Sequence, residues 1–314
     1  MNALKRLLAA SGCLSLALGA VAIPASAAAE PPPLKVISYN LMLLPVAGTG
    51  NQTRADLLAK AGLLRDYDVI VLQEMFQNGV SDPFLDGLAG SHPHRTPVMG
   101  RSKSGWDQTL GDYSALTPED GGVVVLSKYP ITRKIQYVYD DACGADWWAN
   151  KGFVYTTLDV GGTPAHVVGT HAQATDSTCS TSPAAIRRSQ FTELDAFLDG
   201  RRIPAAEQVL IAGDYNVDRF DGTSEYRDTL ALLDAAAPSY AGHSYSWDPV
   251  KNAFTKFKYP DYDTPEHLDY VLYRKGNAHP SSPVVRTLTP QSPPWTSDGR
   301  TFTEFSDHYP VTNG

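Results

Sequence analysis

The chain has 314 residues, of which 42% are hydrophobic and 19% are charged, and its 26 basic and 34 acidic side chains give a formal net charge of −8. This acidic balance disfavours a protein that binds nucleic acid mainly through its own Lys and Arg, because basic side chains that neutralise phosphates supply that affinity. No segment after the N-terminal region reaches the run of roughly eighteen apolar residues that a membrane span needs.

The first 29 residues place Lys5 and Arg6 before an apolar stretch that ends in small residues. This pattern is typical of a secretory signal peptide, which is removed on export and takes no part in the fold. We therefore predict a secreted, extracellular protein in which residues 30–314 form one domain.

Short apolar runs rich in Val, Ile and Tyr alternate with Gly, Pro and Asp clusters, which is typical of strands buried inside a sheet sandwich. We predict strands at residues 34–43, 68–76, 121–131, 153–160, 165–171, 209–217 and 267–275. Helical spacing of apolar residues predicts helices over 52–67, 183–200 and 224–236. The sequence thus indicates an α/β domain with sheets inside and helices outside.

Two cysteines follow the predicted signal peptide, Cys143 and Cys179, while Cys13 lies within it. Two thiols in an exported chain predict one disulfide, which closes a loop of about 37 residues. The alternative is two separate reduced thiols.

Strong polar residues close, follow or interrupt the apolar runs, and two of them precede the short run YPV. They are Asn40, Glu74, His171, Asp214, Asn216, Asp269, Asp307 and His308. Burying such a group costs several kcal/mol unless it is paired, so we expect these side chains to converge at one end of the sheets. Asn, Glu and Asp oxygens are suitable ligands for a hard cation such as Mg²⁺.

Most of these residues also have an ordinary structural explanation when each is taken alone. The alternatives are a turn at Asn40, an Asx turn at Asp214 and Asn216, a buried core histidine at His171, and a surface turn at Asp307 and His308. Glu74 has no such simple alternative, because a carboxylate after the apolar run VIVL needs a counter-charge. The joint pattern favours a site.

Six motifs in series carry a family resemblance: SYN at 38–40, QE at 73–74, GTH at 169–171, GDYN at 213–216, LDYV at 268–271 and SDHYP at 306–310. In this order they resemble the endonuclease/exonuclease/phosphatase superfamily. The longer stretches GTHAQATDSTCSTSPAAIR and SWDPVKNAFTKFKYPDYDTPEHLDYVLY are similar to secreted bacterial neutral sphingomyelinases of the C type. The resemblance implies a four-layer sandwich, with two mixed β-sheets packed face to face and helices outside, and a Cys143–Cys179 disulfide.

The resemblance also implies an activity. It is Mg²⁺-dependent hydrolysis of sphingomyelin to ceramide and phosphocholine by attack of water on phosphorus, with Mn²⁺ or Co²⁺ able to substitute. The implied partner is sphingomyelin in membranes or vesicles. No nucleic-acid partner is expected, and the protein is expected to be a monomer. Two competing readings are a secreted nuclease with the same catalytic centre and a module that binds lipid or a receptor without catalysis. The presence of all the polar strand-end residues disfavours the second.

The resemblance assigns a role to each polar residue. Glu74 and Asn40 would hold the cation, and His308 beside Asp307 would be the general base. His171 would donate to the phosphate with its orientation fixed by Asp269, while Asp214 and Asn216 would position water or phosphate, or ligate a second cation. A further divalent cation is expected at the sheet edge, with Asn78, Glu119 and Asp120 as ligands. The alternative there is an acidic surface loop.

Trp147, Trp148 and Trp295 are candidates for membrane contact, because exposed aromatics suit the bilayer interface. The alternative is burial in the core. Related enzymes carry an aromatic hairpin before the SDHYP motif, but here only ten residues separate Trp295 from Ser306. Either the Trp147–Trp148 pair makes the membrane contact or the contact is weaker.

Overall fold

The strands occupy most of the predicted apolar runs in the computed structural model, which describes residues 33–314. The predicted signal peptide and Cys13 lie outside the described residues. The strands are β1 (Val36–Asn40), β2 (Val69–Gln73), β3 (His94–Arg95), β4 (Gln108–Gly111), β5 (Val124–Ser127), β6 (Ile131–Val138), β7 (Gly152–Val160), β8 (Thr163–His171), β9 (Gln208–Asp214), β10 (Ser239–Gly242), β11 (Asp269–Tyr273), β12 (Val284–Thr287), β13 (Trp295–Ser297), β14 (Arg300–Phe302) and β15 (Val311–Thr312). The α-helices are α1 (Asn51–Ala61), α2 (Asn78–Leu88), α3 (Pro183–Arg201), α4 (Glu225–Leu232) and α5 (Ala253–Lys258).

The strands form two mixed sheets and one short hairpin. Sheet A has the order β10-β12-β15-β1-β2-β5-β3, and sheet B has the order β11-β9-β8-β7-β6-β4. The β1–β2 pair in sheet A and the β8–β9 pair in sheet B are parallel, whereas β15 and β11 run antiparallel to their neighbours β1 and β9. Parallel neighbours bring the carboxyl ends of their strands to the same edge of a sheet.

The two sheets pack face to face with helices on the outside. Val69 and Val71 of β2 belong to the core between the sheets, whereas Ile70 and Leu72 point the other way and pack with apolar residues of α1 and α2. This alternation is the period of two that a strand buried on both faces shows. A Cβ atom at Gly169 of β8 would lie 2.7 Å from Val71 Cγ1, so glycine allows the sheets to approach closely. The predicted four-layer sandwich is confirmed.

The helices differ from the prediction in three ways, the first of which is that the helix predicted over 224–236 spans only Glu225–Leu232. The predicted helix over 52–67 ends at Ala61, because Gly62 adopts a left-handed conformation with φ of 73°, and a separate 3₁₀ turn follows at Leu63–Asp66. Helices α2 and α5 were not predicted. Helix α2 contains Pro83 and two glycines, which are weak helix formers, so burial of its apolar face stabilises it instead. No helix among the described residues is long and apolar enough to cross a membrane.

The predicted disulfide between Cys143 and Cys179 is confirmed. It joins the 3₁₀ turn Gly144–Trp148 to the loop between β8 and α3.

Replacing both cysteines by serine is expected to lower the free energy of unfolding by about 3 to 4 kcal/mol, because the unfolded chain regains the entropy of a loop of about 37 residues. Urea denaturation followed by fluorescence measures this change, with Ser180→Ala in the same loop as the control. A loss smaller than about 1 kcal/mol would contradict the loop-entropy estimate.

The short hairpin β13–β14 explains why one predicted membrane contact is wrong. Asp298 and Gly299 both have positive φ, as a tight two-residue hairpin turn requires, so the hairpin has only three paired residues in each strand. Trp295 and Phe302 are cross-strand partners with ring centroids 4.9 Å apart, and both rings pack on Phe254. Trp295 is only 5% exposed and its indole N–H donates to the Glu304 carbonyl oxygen, so it belongs to the core.

Candidate active site

Sheet A brings Asn40, Glu74, Asp307 and His308 to one end of the molecule. Asn40 is the last residue of β1 and Glu74 directly follows β2, its parallel neighbour. Asp307 and His308 precede β15, which runs antiparallel to β1, so they arrive at the same end. The Ser306 hydroxyl donates to the Asn40 carbonyl oxygen at 2.7 Å, which ties the two segments together.

Sheet B contributes His171, Asp214 and Asp269 through its strand register. His171 ends β8 directly opposite Asp214 at the end of the parallel strand β9. Asp269 begins β11 directly opposite Asp214 on its other side. The register alone therefore places the Asp214 carboxylate between the two other residues.

Asn40 links the two sheets. Its side-chain N–H groups donate to Glu74 Oε1 at 2.8 Å and to Asp214 Oδ2 at 3.0 Å, while its amide oxygen accepts from the backbone N–H of Met42 at 3.0 Å. An asparagine ligates a cation through its amide oxygen, so donation by the nitrogen is compatible with the predicted role of metal ligand. The geometry adds a second role for Asn40, the positioning of two carboxylates.

His308 is held by Asp269, which corrects the predicted pairing of Asp269 with His171. His308 Nδ1 lies 2.8 Å from Asp269 Oδ2, and its Nε2 lies 3.8 Å from Asp214 Oδ2. Burial lowers the pKa of His308, but the carboxylates of Asp269, Asp307 and Asp214 outweigh burial and raise the pKa well above 6.5. The sequence did not reveal this pairing, because it depends on which strands are neighbours.

His171 faces a lysine that the sequence analysis did not single out. Lys151 Nζ lies 3.2 Å from His171 Nε2 and 2.7 Å from Asp146 Oδ1, and all three side chains are buried. Burial, Lys151 and His308 lower the pKa of His171 well below 6.5, so its imidazole is neutral. The one available signal was the position of Lys151 directly before the buried strand β7.

A second missed residue, Arg54, holds the loops that carry the site. Its guanidinium is buried and donates to the carbonyl oxygens of Leu41, Met42 and Phe305. These residues follow Asn40 and precede the Ser306–His308 segment. Nothing in the sequence marked Arg54 as buried, since arginine on a helix usually faces solvent.

Glu74 has the environment of a metal ligand. Its backbone φ is 58°, a region that costs a non-glycine residue about 1 to 3 kcal/mol and is found where the surrounding structure imposes it. Burial and the charge of Asp307 raise the pKa of Glu74 to about 7, although the hydrogen bond from Asn40 opposes the shift. Within the described residues, Glu74 Oε2 is buried with no hydrogen-bond partner.

The cluster fits a divalent cation. Ligand atoms of Glu74, His171 and Asp214 lie within 4.8 Å of one another, and so do those of Asp214, Asp269 and His308. Asp269 Oδ1, like Glu74 Oε2, is buried without a hydrogen-bond partner among the described residues. Oxygen donors with unshared charge are the ligands that Mg²⁺ selects.

Asn216 lies beside Asp214 in a local turn. Its backbone N–H donates to Asp214 Oδ1 at 2.9 Å, which is the predicted Asx turn, and its side-chain amide donates to the Ala172 carbonyl oxygen at 3.1 Å. The turn fixes both side chains at the site, so the structural explanation and a role in the site are compatible here.

The predicted edge-site residues Asn78, Glu119 and Asp120 line one cavity of about 150 Å³. Arg101 lies in the same cavity, and its Nε donates to Asp120 Oδ2 at 3.1 Å. Burial raises the pKa of Asp120 to about 6 in spite of this ion pair. The three residues therefore line the same cavity, in which the Arg101 guanidinium is the counter-charge of Asp120, and their role as metal ligands stays a prediction.

Trp147 and Trp148 are exposed, by 61% and 58% respectively, with ring centroids 4.7 Å apart. They line a cavity of about 420 Å³ together with Leu116, which is 94% exposed. Three exposed apolar side chains therefore line the same surface cavity.

The fold and the site together define a class of protein. Two sheets packed face to face gather carboxylates and histidines at one end, and this arrangement is suited to metal-assisted cleavage of phosphoesters. A profile of the Endonuclease/Exonuclease/phosphatase family matches residues 37–308. The chain belongs to this family, and the resemblance identified from the six motifs is confirmed.

The chain is similar to several named proteins over nearly its whole length. Sphingomyelinase C of Bacillus cereus is 42% identical over 316 residues, covering 95% of this chain and 95% of the relative. The crystal structure of sphingomyelinase C from Streptomyces griseocarneus is 49% identical, with a TM-score of 0.85 and coverage of 90% and 99%. A mutant of beta toxin from Staphylococcus aureus, solved with bound magnesium ions, is 41% identical, with a TM-score of 0.85 and coverage of 89% and 98%.

Proposed function

We propose that this protein is a secreted sphingomyelin phosphodiesterase that hydrolyses sphingomyelin to ceramide and phosphocholine with the help of Mg²⁺. The observation that carries the proposal is the convergence of Glu74, Asp214 and His171 with the Asp269–His308 pair at one end of both sheets. The relatives named sphingomyelinase C support the choice of substrate. A signal peptide at residues 1–29 and a monomeric mature protein complete the proposal.

The bound Mg²⁺ would be held by Glu74 and Asp214, and it would neutralise their charge and polarise a phosphoryl oxygen. Mn²⁺ and Co²⁺ also accept this ligand set. A second divalent cation at Asn78, Glu119 and Asp120 remains a proposal that requires Arg101 to release Asp120.

His308 would remove the proton from the attacking water through Nε2, because Nδ1 is occupied by Asp269. The bound cation would offset the carboxylates that raise the pKa of His308, so that its imidazole is neutral when it acts as the base. His171 and Lys151 would contact the phosphoryl oxygens, since their polar atoms lie side by side and Lys151 supplies a positive charge. Asp307 would stabilise the charged form of His308, whose pKa its carboxylate raises.

Magnesium affinity is expected to weaken as pH falls through about 7, because the pKa of Glu74 is raised to about 7 and a proton then competes with the cation. A carboxyl pKa raised above its ordinary value of 4.5 also means that the metal-free fold loses stability as pH rises from about 4.5 through about 7. Mg²⁺ should therefore raise the melting temperature more at about pH 8 than at about pH 6. Equal shifts at both pH values, or pH-dependent shifts retained in Glu74→Gln, would contradict this linkage.

The exposed pair Trp147 and Trp148 would bind the lipid surface. Replacing both by alanine is expected to weaken binding to sphingomyelin vesicles at least about tenfold, because tryptophan contributes a large apolar area at the bilayer interface. Vesicle sedimentation measures the change, with Phe220→Ala, an exposed aromatic elsewhere, as the control. Unchanged sedimentation of the double variant would exclude the pair as the membrane contact.

Identification of the products tests the proposed function. The mature protein is incubated with sphingomyelin vesicles and, separately, with plasmid DNA, each with Mg²⁺ and with chelator. Phosphocholine released only with Mg²⁺, and intact plasmid, are the expected results. Cleaved plasmid with intact sphingomyelin would show a nuclease instead.

A further inference from the structure

Three aromatic rings form a cluster outside the catalytic residues. Trp247, Tyr259 and Tyr262 have ring centroids 5.3, 5.7 and 6.1 Å apart, and their planes meet at steep angles of 64° to 89°. Tyr262 is 54% exposed, whereas Trp247 is buried. The cluster, here called the aromatic corner, therefore reaches from the interior to solvent.

The aromatic corner adjoins His308. Trp247 forms antiparallel bridges with His308 on one side and with Glu266 on the other. Residues directly opposite each other in antiparallel strands project from the same face, with Cβ atoms about 5 Å apart. The Cβ atoms of Trp247 and His308 therefore lie close together on the same face, at the edge of the catalytic centre.

The aromatic corner lies in a negative electrostatic field. Burial first, and then the charges of Asp307, Glu74 and Asp214, raise the pKa of Tyr259 well above 10, so the field of the catalytic carboxylates reaches its hydroxyl. Among residues 33–314, the half-buried Glu266 carboxylate forms no hydrogen bond and no ion pair. Aromatic faces and an unpaired carboxylate both favour a cationic ligand.

The loop that carries Tyr262 is fixed rather than loose. Lys256 donates from its ammonium to the carbonyl oxygens of Pro260 and Tyr262, and it pairs with Asp263 at 2.6 Å. The Lys256 ammonium is therefore hydrogen-bonded to the loop backbone and paired with Asp263. Tyr262 is thereby held against the other two rings before any ligand arrives.

We propose that the aromatic corner of Trp247, Tyr259 and Tyr262 binds the quaternary ammonium of a choline head group while the adjoining phosphate lies at His308. This inference rests on the proposed function and adds the head-group selectivity to it. In phosphocholine only two carbons separate the phosphate ester oxygen from the nitrogen, which matches the adjacency of His308 and Trp247. A trimethylammonium is weakly hydrated and contacts rings through its methyl groups, whereas a primary ammonium would give up strong hydrogen bonds to water. The corner should therefore select choline over ethanolamine.

Two measurements on the mature protein with Mg²⁺ test the inference. The first compares kcat/KM for sphingomyelin and for ceramide phosphoethanolamine in mixed detergent micelles. The second compares binding of phosphocholine and phosphoethanolamine by calorimetry. Tyr262→Leu, which keeps the bulk but removes the ring, should reduce both choline preferences at least about fivefold. Tyr262→Phe, the matched control, should retain them because the ring remains.

The outcomes separate this inference from the proposed function. If wild type cleaves both lipids and Tyr262→Leu keeps the wild-type preferences, the aromatic corner is not the head-group site, while the proposed function stands. If wild type cleaves neither lipid, the proposed function fails, and the calorimetric comparison alone decides on the corner. Equal affinities of wild type for the two phosphoesters would overturn the inference in either case.

Discussion

Replacing His308 by alanine is expected to lower kcat for sphingomyelin by about 10²- to 10⁴-fold, the range that a positioned general base contributes. The reason lies in its two contacts: Nδ1 is engaged by Asp269, and Nε2 faces the site beside Asp214. Alanine removes the proton acceptor but leaves the strands that carry its neighbours. The measurement is the initial rate of phosphocholine release at saturating Mg²⁺.

Two controls make this result specific. His279→Ala removes a histidine that lies outside the site and whose ring forms a hydrogen bond with the nearby Pro280 carbonyl oxygen, and it should leave the rate unchanged. Circular dichroism of His308→Ala should match wild type. Activity within a few-fold of wild type would exclude His308 as the base.

Replacing Glu74 by glutamine is expected to raise the Mg²⁺ concentration for half-maximal activity at least about tenfold, because the neutral amide loses the charge that attracts the cation. Within the described part of the chain, Glu74 Oε2 is a buried oxygen without a hydrogen-bond partner, so a cation would supply the partner that it lacks. A Mg²⁺ titration of the initial rate measures the effect.

The matched control is Glu207→Gln. Glu207 pairs with His166 near the opposite end of β8 and β9, so it tests loss of one carboxylate without touching the site. Its Mg²⁺ titration should match wild type. A Glu74→Gln titration that also matches wild type would remove Glu74 from the metal site.

The sequence predicted the members of the site better than their pairings. Asn40, Glu74, His171 and Asp214 were recognisable because a polar residue at the end of a buried apolar run requires a partner. The pairing of Asp269 with His308 was not recognisable, because it depends on strand order in sheet B and on the approach of β15. Neither the strand order nor this approach can be predicted from the local sequence.

Two basic residues escaped prediction for a related reason. Lys151 and Arg54 are both buried, yet lysine and arginine lie on the surface in most proteins, and only tertiary packing shows which ones do not. Trp295 was misassigned for the opposite reason. Its exposure depends on the length of a hairpin and on contacts with Phe254, which is more than 40 residues away in sequence.

The most direct test of the metal centre is a crystal structure of the mature protein grown with Mn²⁺ and phosphocholine, with anomalous differences measured at the manganese edge. We expect an anomalous peak at coordination distance, about 2.0 to 2.3 Å, from Glu74 Oε2, with the phosphate between that ion and His308. Manganese bound only elsewhere, with Glu74 and His308 free of ion and phosphate, would contradict this expectation.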